Sequence, residues 1–182
     1  MKKIVIILAD GAEETEFIAV GDVLRRLSFE VTVAGLAGLD VTGAHGFGLK
    51  AERLLAECAP EEFDAVFLPG GMGGALAMYE SAAVLDFVRA MERGGKIVSA
   101  ICAAPSIFGH RGYLKGRRAT SYPSFEEHLD GAQVTRAAAE TDGNVITGRG
   151  MGCSIPFALA VVEYLAGKAE ADRVAESVVY PG

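Results

Sequence analysis

The feature of this sequence that most narrows its fold is an alternation: short apolar runs recur along the chain, each followed by a segment whose apolar residues repeat at helical spacing. "KKIVIILA" is β-branched and apolar. "EETEFIAVGDVLRRLS" then places Phe17, Val20, Leu24 and Leu27 on one helical face, before "EVTVAGLA" returns to strand character. Further on, "DAVFLPGG" and "GKIVSAIC" bracket the helical "SAAVLDFVRAMERGG", and "NVITGRG" precedes the helical "SIPFALAVVEYLAGK". Strands that are apolar on both faces must be covered on both, and helical crossovers make them parallel. The alternation therefore predicts an α/β fold, a doubly wound parallel sheet sandwiched by helices, as one domain over residues 1–182. The Gly-rich stretch 39–51 interrupts the pattern and predicts an irregular hairpin added to that core.

In such sheets ligands bind beyond the carboxyl ends of the strands. The loops there are "DGAEETE", "LPGGMGG", "SAICAAP" and "TGRGMGCS", which predict acids, bare backbone, a cysteine and an arginine on one rim. Cys102 falls at a strand-to-helix transition. Ala100, Ala103 and Ala104 stand at positions analogous to the glycines of a G-x-S-x-G nucleophile elbow, where bulky side chains would collide. The following helix N-terminus would favour thiolate and lower the thiol's pKa. On the residues alone, two readings of Cys102 stand side by side: an activated nucleophile, or a small buried hydrophobe closing a strand. Cys58 and Cys153 read as structural.

Glu13, Glu14 and Glu16 open the first helix, where capping accounts for carboxylates. Alternatively, one of them points over the sheet at Cys102 and, desolvated there, keeps its proton near neutral pH. The glycines of "LPGGMGGA" suit a tight turn or, with the Ala103 amide, an oxyanion hole. Arg149 is either a substrate anchor or the partner of a rim carboxylate. A dinucleotide or flavin phosphate is disfavoured, because G-x-G-x-x-G is out of register and carboxylates follow the first strand. The histidines, His45, His110 and His128, lack metal-ligand spacing, so neither metal nor cofactor is expected. Each reads as surface or loop structure rather than a catalytic base, although His45, in the Gly-rich excursion, could approach the rim.

A net charge of -7 without a clustered basic stretch argues against nucleic acid or an anionic membrane as partner. The N-terminal apolar run ends at Asp10 and Gly11 without a cleavage-type site, and no apolar segment approaches the ~20 residues that span a bilayer. Three cysteines without paired or metal-type spacing suit a reducing compartment. A cytoplasmic protein is expected.

With "LADGAEETE", "VAGLAG", "DAVFLPGGMGGA", "SAICAAP" and "TGRGMG" in this order, the chain resembles the DJ-1/ThiJ/PfpI superfamily, particularly its DJ-1-like branch, over nearly its whole length. The resemblance implies a flavodoxin-like sandwich, a homodimer and a nucleophile-elbow cysteine at Cys102. It puts the family's acid on Glu16 and its oxyanion amides on Gly71 and Ala103. Two departures matter. Ala103 stands where peptidase-like members carry histidine, which disfavours a Cys-His peptidase. Tyr122, in "ATSYPS", matches a position where several DJ-1-like proteins carry histidine and some bacterial members an aromatic residue. Tyr122 could donate a hydrogen bond, but a phenol with an ordinary pKa of about 10 is a poor base at neutral pH.

The implied activity is glutathione-independent glyoxalase or deglycase chemistry. Its substrates would be methylglyoxal and related 2-oxoaldehydes, or glycated thiols and amines, with Cys102 as nucleophile and Glu16 as proton shuttle. The rival expectation is a redox-responsive stress protein or chaperone whose Cys102 is oxidised to sulfinate, with little turnover.

Overall fold

The computed structural model describes all 182 residues. The first half of the chain forms β1 (Lys3–Leu8), α1 (Glu14–Arg25), β2 (Glu30–Gly35), β3 (Asp40–Thr42), β4 (Gly48–Lys50), β5 (Arg53–Leu54), β6 (Ala65–Leu68), α2 (Met72–Glu80) and α3 (Ala82–Arg93). The second half forms β7 (Ile97–Ile101), α4 (Pro105–His110), β8 (Arg118–Ala119), β9 (Gln133–Val134), β10 (Ala139–Asp142), β11 (Val145–Gly148), α5 (Ser154–Ala166) and α6 (Lys168–Ser177). No helix is long and apolar enough to cross a membrane.

Seven strands form one sheet in the order β10-β11-β7-β6-β1-β2-β5. All neighbours are parallel except β10 and β11. The antiparallel edge departs from the all-parallel expectation, for a local reason. Asp142 pairs with Val145 across Gly143 and Asn144, and Gly143 at φ 60° supplies the left-handed turn that a two-residue hairpin requires. The strand itself, "AETD", has no apolar run to announce it. The Gly-rich stretch does form the expected hairpin, β3 against β4.

Alternate residues of the central strands feed two separate cores. Ile4, Ile6 and Leu8 of β1 pack with Phe17, Val20 and Leu24 of α1, Phe157 and Val161 of α5, and Val174 of α6. Val5 and Ile7 face the other way, onto Met78, Val84, Phe87, Met91 and Phe108. This is why β1 reads as uninterrupted hydrophobic sequence: both pleat faces are buried.

The winding direction locates the crevice. From β1 the chain moves outward to β2 and β5, then returns to lay β6 on the other side of β1 and continues to β7 and β11. The loops leaving β1 and β6 therefore part from one another, and the gap between them is the place where an open α/β sheet holds a ligand.

Phe157 is fully buried and its ring lies 5.4 Å from that of Phe67, joining α5 to the sheet. Phe157→Ala should cost about 3–5 kcal/mol. Urea unfolding followed by circular dichroism checks this, as a lower midpoint at unchanged slope.

Candidate active site

Cys102 follows β7 directly and adopts φ 63°, the left-handed region that side-chain-bearing residues seldom occupy. That turn is what an elbow requires, and it costs about 1–3 kcal/mol. Two hydrogen bonds hold it in place. The Cys102 amide donates to the Gly148 carbonyl at 3.0 Å, and its own carbonyl accepts from the Tyr122 amide at 2.9 Å. Ala103 and Ala104, the next two residues of the turn, are both buried. The amides of Gly71 and Ala103 act to lower the thiol's pKa.

Glu16 projects from the first turn of α1 and is completely buried. Its Oε2 accepts a 2.7 Å hydrogen bond from the Gly70 amide. Only glycine fits at 70: a Cβ there would lie 2.5 Å from the Cys102 Cβ and 2.6 Å from Glu16 Oε2. Gly71, at φ 82°, turns the chain so that its amide faces the cysteine. Glu16 Oε1 is buried without a partner of hydrogen-bond geometry. The group beside it is the Cys102 thiol, close enough that each displaces the other's ionisation.

Burial pushes the Glu16 carboxyl up to about 7, against the opposing pull of the Gly70 amide. Burial, and then the Glu16 charge, push the Cys102 thiol up to about 12, although the Gly71 and Ala103 amides act the other way. The expected lowering by a helix N-terminus is thus not met. The following helix is only Pro105–His110, and desolvation with an adjacent carboxylate outweighs it. At neutral pH the thiol therefore keeps its proton while the carboxyl is about half ionised, and the pair titrates as a coupled unit. A thiolate forms when the proton moves to Glu16, which leaves the charge on sulfur facing two backbone donors.

The pair opens into a rim cavity of about 530 Å³. Glu13, His45, Gly71, Ala103 and Tyr122 line it with Cys102 and Glu16. Arg149 is not part of this wall. Its guanidinium donates to Glu126 at 3.2 Å, the rim-carboxylate alternative, and Arg136 takes the same carboxylate. Glu13 stands at the N-cap of α1 but makes no side-chain cap, and Glu14 turns to His45 instead. Met72, Phe125 and Met151 also line the cavity, unforeseen because isolated apolar residues in loops carry no signal in one dimension. Cys58 donates its thiol to the Leu54 carbonyl at 3.5 Å, away from the site. Glu13, Glu14 and His45 have ligand-type atoms within 4.8 Å of one another. Since Glu14 already accepts two hydrogen bonds from His45, the group is a carboxylate–imidazole pair rather than an argument for a metal.

The Glu16 carboxyl is raised, so the folded state binds its proton more tightly than the unfolded chain. Stability is therefore lost as pH rises from the unfolded value of 4.5 through about 7. Glu16→Gln should consequently stabilise the protein at pH 8, on the order of 3 kcal/mol, and leave it little changed at pH 4. Thermal unfolding of both proteins across this range measures the difference.

A family model for the DJ-1/PfpI family matches residues 2–164. The chain is 44% identical over 181 residues to protein dj-1beta of Drosophila melanogaster, covering 98% of this chain and 97% of that protein. The crystal structure of Drosophila melanogaster DJ-1beta superposes with a TM-score of 0.92 at 43% identity, covering 98% of this chain and 97% of the other. A structure of oxidized Toxoplasma gondii DJ-1 gives 0.95 at 30% identity, with complete coverage of both chains. A deglycase of Pyrococcus abyssi is 35% identical over 149 residues, 81% of this chain and 89% of that protein. Sequence and fold agree that the chain belongs to the DJ-1/PfpI family, in its DJ-1-like branch.

Proposed function

We propose that this protein is a glutathione-independent glyoxalase or deglycase acting on methylglyoxal and related 2-oxoaldehydes through Cys102. The observation that carries this reading is a strained elbow cysteine whose neighbour is a fully buried carboxyl held up to about 7. A carboxyl with that pKa can take and return a proton at neutral pH. The thiol proton passes to Glu16 as sulfur attacks the aldehyde carbon, and Glu16 then protonates the new oxyanion to give a hemithioacetal. Until then the Gly71 and Ala103 amides stabilise that oxygen. Glu16, again a carboxylate, removes the hydrogen from the attacked carbon and delivers it to the adjacent one. The resulting thioester is cleaved by water, releasing a 2-hydroxy acid and restoring the thiol. Nothing in the sequence of steps calls for a metal or glutathione. The deglycase of Pyrococcus abyssi lends the reading its support among relatives.

The second reading, a redox-responsive protein whose Cys102 is oxidised, draws on the Toxoplasma gondii relative described as oxidized. Here the raised thiol works against it, because oxidation needs thiolate, and burial beside the Glu16 charge limits how much is present. Family membership also motivates a homodimer as part of the proposal. Light scattering that returned only the 19.0 kDa chain mass at micromolar concentration would remove that part.

Purified, reduced protein should convert methylglyoxal to lactate, and Cys102→Ser should abolish the conversion. Glu16→Gln should slow it about 10²–10⁴-fold while leaving the thiol open to alkylation. Chromatography of lactate decides the matter: product that persists in Cys102→Ser, or none in the wild type, would overturn the reading.

A further inference from the structure

The hairpin of β3 and β4 is fastened to the loop between β1 and α1. The Gly11 amide donates to the Thr42 carbonyl at 2.8 Å and the Ala44 amide to the Ala12 carbonyl at 2.9 Å. The Thr42 amide donates to Asp10 Oδ1 at 2.8 Å, and the His45 amide to Glu14 Oε1 at 2.6 Å. These bonds carry Ala44 and His45 into the wall of the Cys102 cavity.

Both oxygens of Glu14 are spent on one residue. Oε1 takes the His45 amide, and Oε2 lies 3.0 Å from His45 Nδ1. Although its partial burial opposes ionisation, hydrogen bonds from the His45 ring and backbone hold Glu14 down to about 2, so it is a carboxylate throughout the working range. An ionised carboxylate only accepts, and Nδ1 therefore carries the hydrogen. Nε2 is left as the ring atom without an assigned partner. The other acid facing the ring is Glu13, 3.6 Å from the same Nδ1, and both acids favour the imidazolium. A carboxylate behind Nδ1 with Nε2 free is an arrangement that orients a histidine for proton transfer.

We propose that His45, oriented by Glu14, is a second acid–base residue of the Cys102 cavity, serving the oxygens of the substrate while Glu16 moves the hydrogen between its carbons. This rests on the glyoxalase-type reading. When Glu16 removes the hydrogen from the sulfur-bearing carbon, the electron pair forms the carbon–carbon double bond and the ketone oxygen gains charge. His45 begins as the imidazolium that both acids favour, and its Nε2–H gives that oxygen a proton. As Glu16 returns its proton to the former ketone carbon, the neighbouring hydroxyl becomes the thioester carbonyl and hands its proton to Nε2. The ring ends as it began, and no proton is gained or lost. A single carboxyl cannot hold the carbon-derived proton and protonate the oxygen at once. Tyr122, the other polar ring on this wall, offers a hydroxyl but no imidazole.

The test uses His45→Gly, in which a ring 66% exposed is removed without disturbing the core. With EDTA present throughout, kcat/KM for methylglyoxal should fall about 10²–10⁴-fold, and added imidazole should restore part of the rate. In Glu14→Gln, the alkaline limb of the kcat/KM profile should move to lower pH, because the ring loses the carboxylate that raises it. Wild-type turnover with His45→Gly equally active, or a loss that imidazole does not relieve, would overturn this role and leave the Cys102–Glu16 reading standing. Absence of lactate from the wild type would overturn both.

Discussion

The burial of Glu16 against Cys102 is the constraint around which this molecule is arranged. A carboxyl without solvent exposure needs a donor, and the Gly70 amide supplies one at 2.7 Å. It also needs a reason to be tolerated, since removing a charge from water is costly unless the group is neutral or paired. The pair meets both demands by keeping the thiol protonated and the carboxyl only partly ionised near neutral pH, with the Gly70 amide beside the oxygen that carries the charge. Residue 70 must then be glycine, because a Cβ would run into both partners at once.

The fold supplies this contact at the reversal in winding. Glu16 comes from the helix after β1, Gly70 from the loop after β6, and Cys102 from the turn after β7, three neighbouring strands of the sheet. Because the two cores lock those strands from both faces, the loops inherit fixed starting points. The strained turn at Cys102 is held from outside by Gly148 of β11 and by Tyr122, so the cost of the elbow is carried by the sheet rather than by the Cys102 and Glu16 side chains. Tyr122 thus has a backbone role in addition to its place on the cavity wall.

Much of this was legible in the chain because it repeats. The β-branched run "KKIVIILA" and the helical spacing of Phe17, Val20 and Leu24 are local signals that burial on both faces of β1 and one face of α1 then satisfies. The edge strand β10 was not legible, since a half-exposed strand of "AETD" has neither an apolar run nor alternation. The raised Cys102 thiol was not legible for a different reason: helix position is local information, whereas desolvation and the Glu16 charge depend on what the whole fold brings near.

The same distinction separates what the sequence determined from what the tertiary structure decided. Periodicity and turn residues determined an α/β sandwich with Cys102 at a strand end, because hydrophobic burial acts through spacing along the chain. Which of Glu13, Glu14 and Glu16 meets the cysteine was left open by the residues themselves and assigned to Glu16 through family resemblance; the packing of α1 buries Glu16 beside the thiol and turns Glu14 to His45. The pairing of Glu14 with a residue 31 positions away, the withdrawal of Arg149 to Glu126 and the cavity wall of Met72, Phe125 and Met151 were decided only by folding. They arise from long-range packing, and no rule of neighbouring residues encodes them.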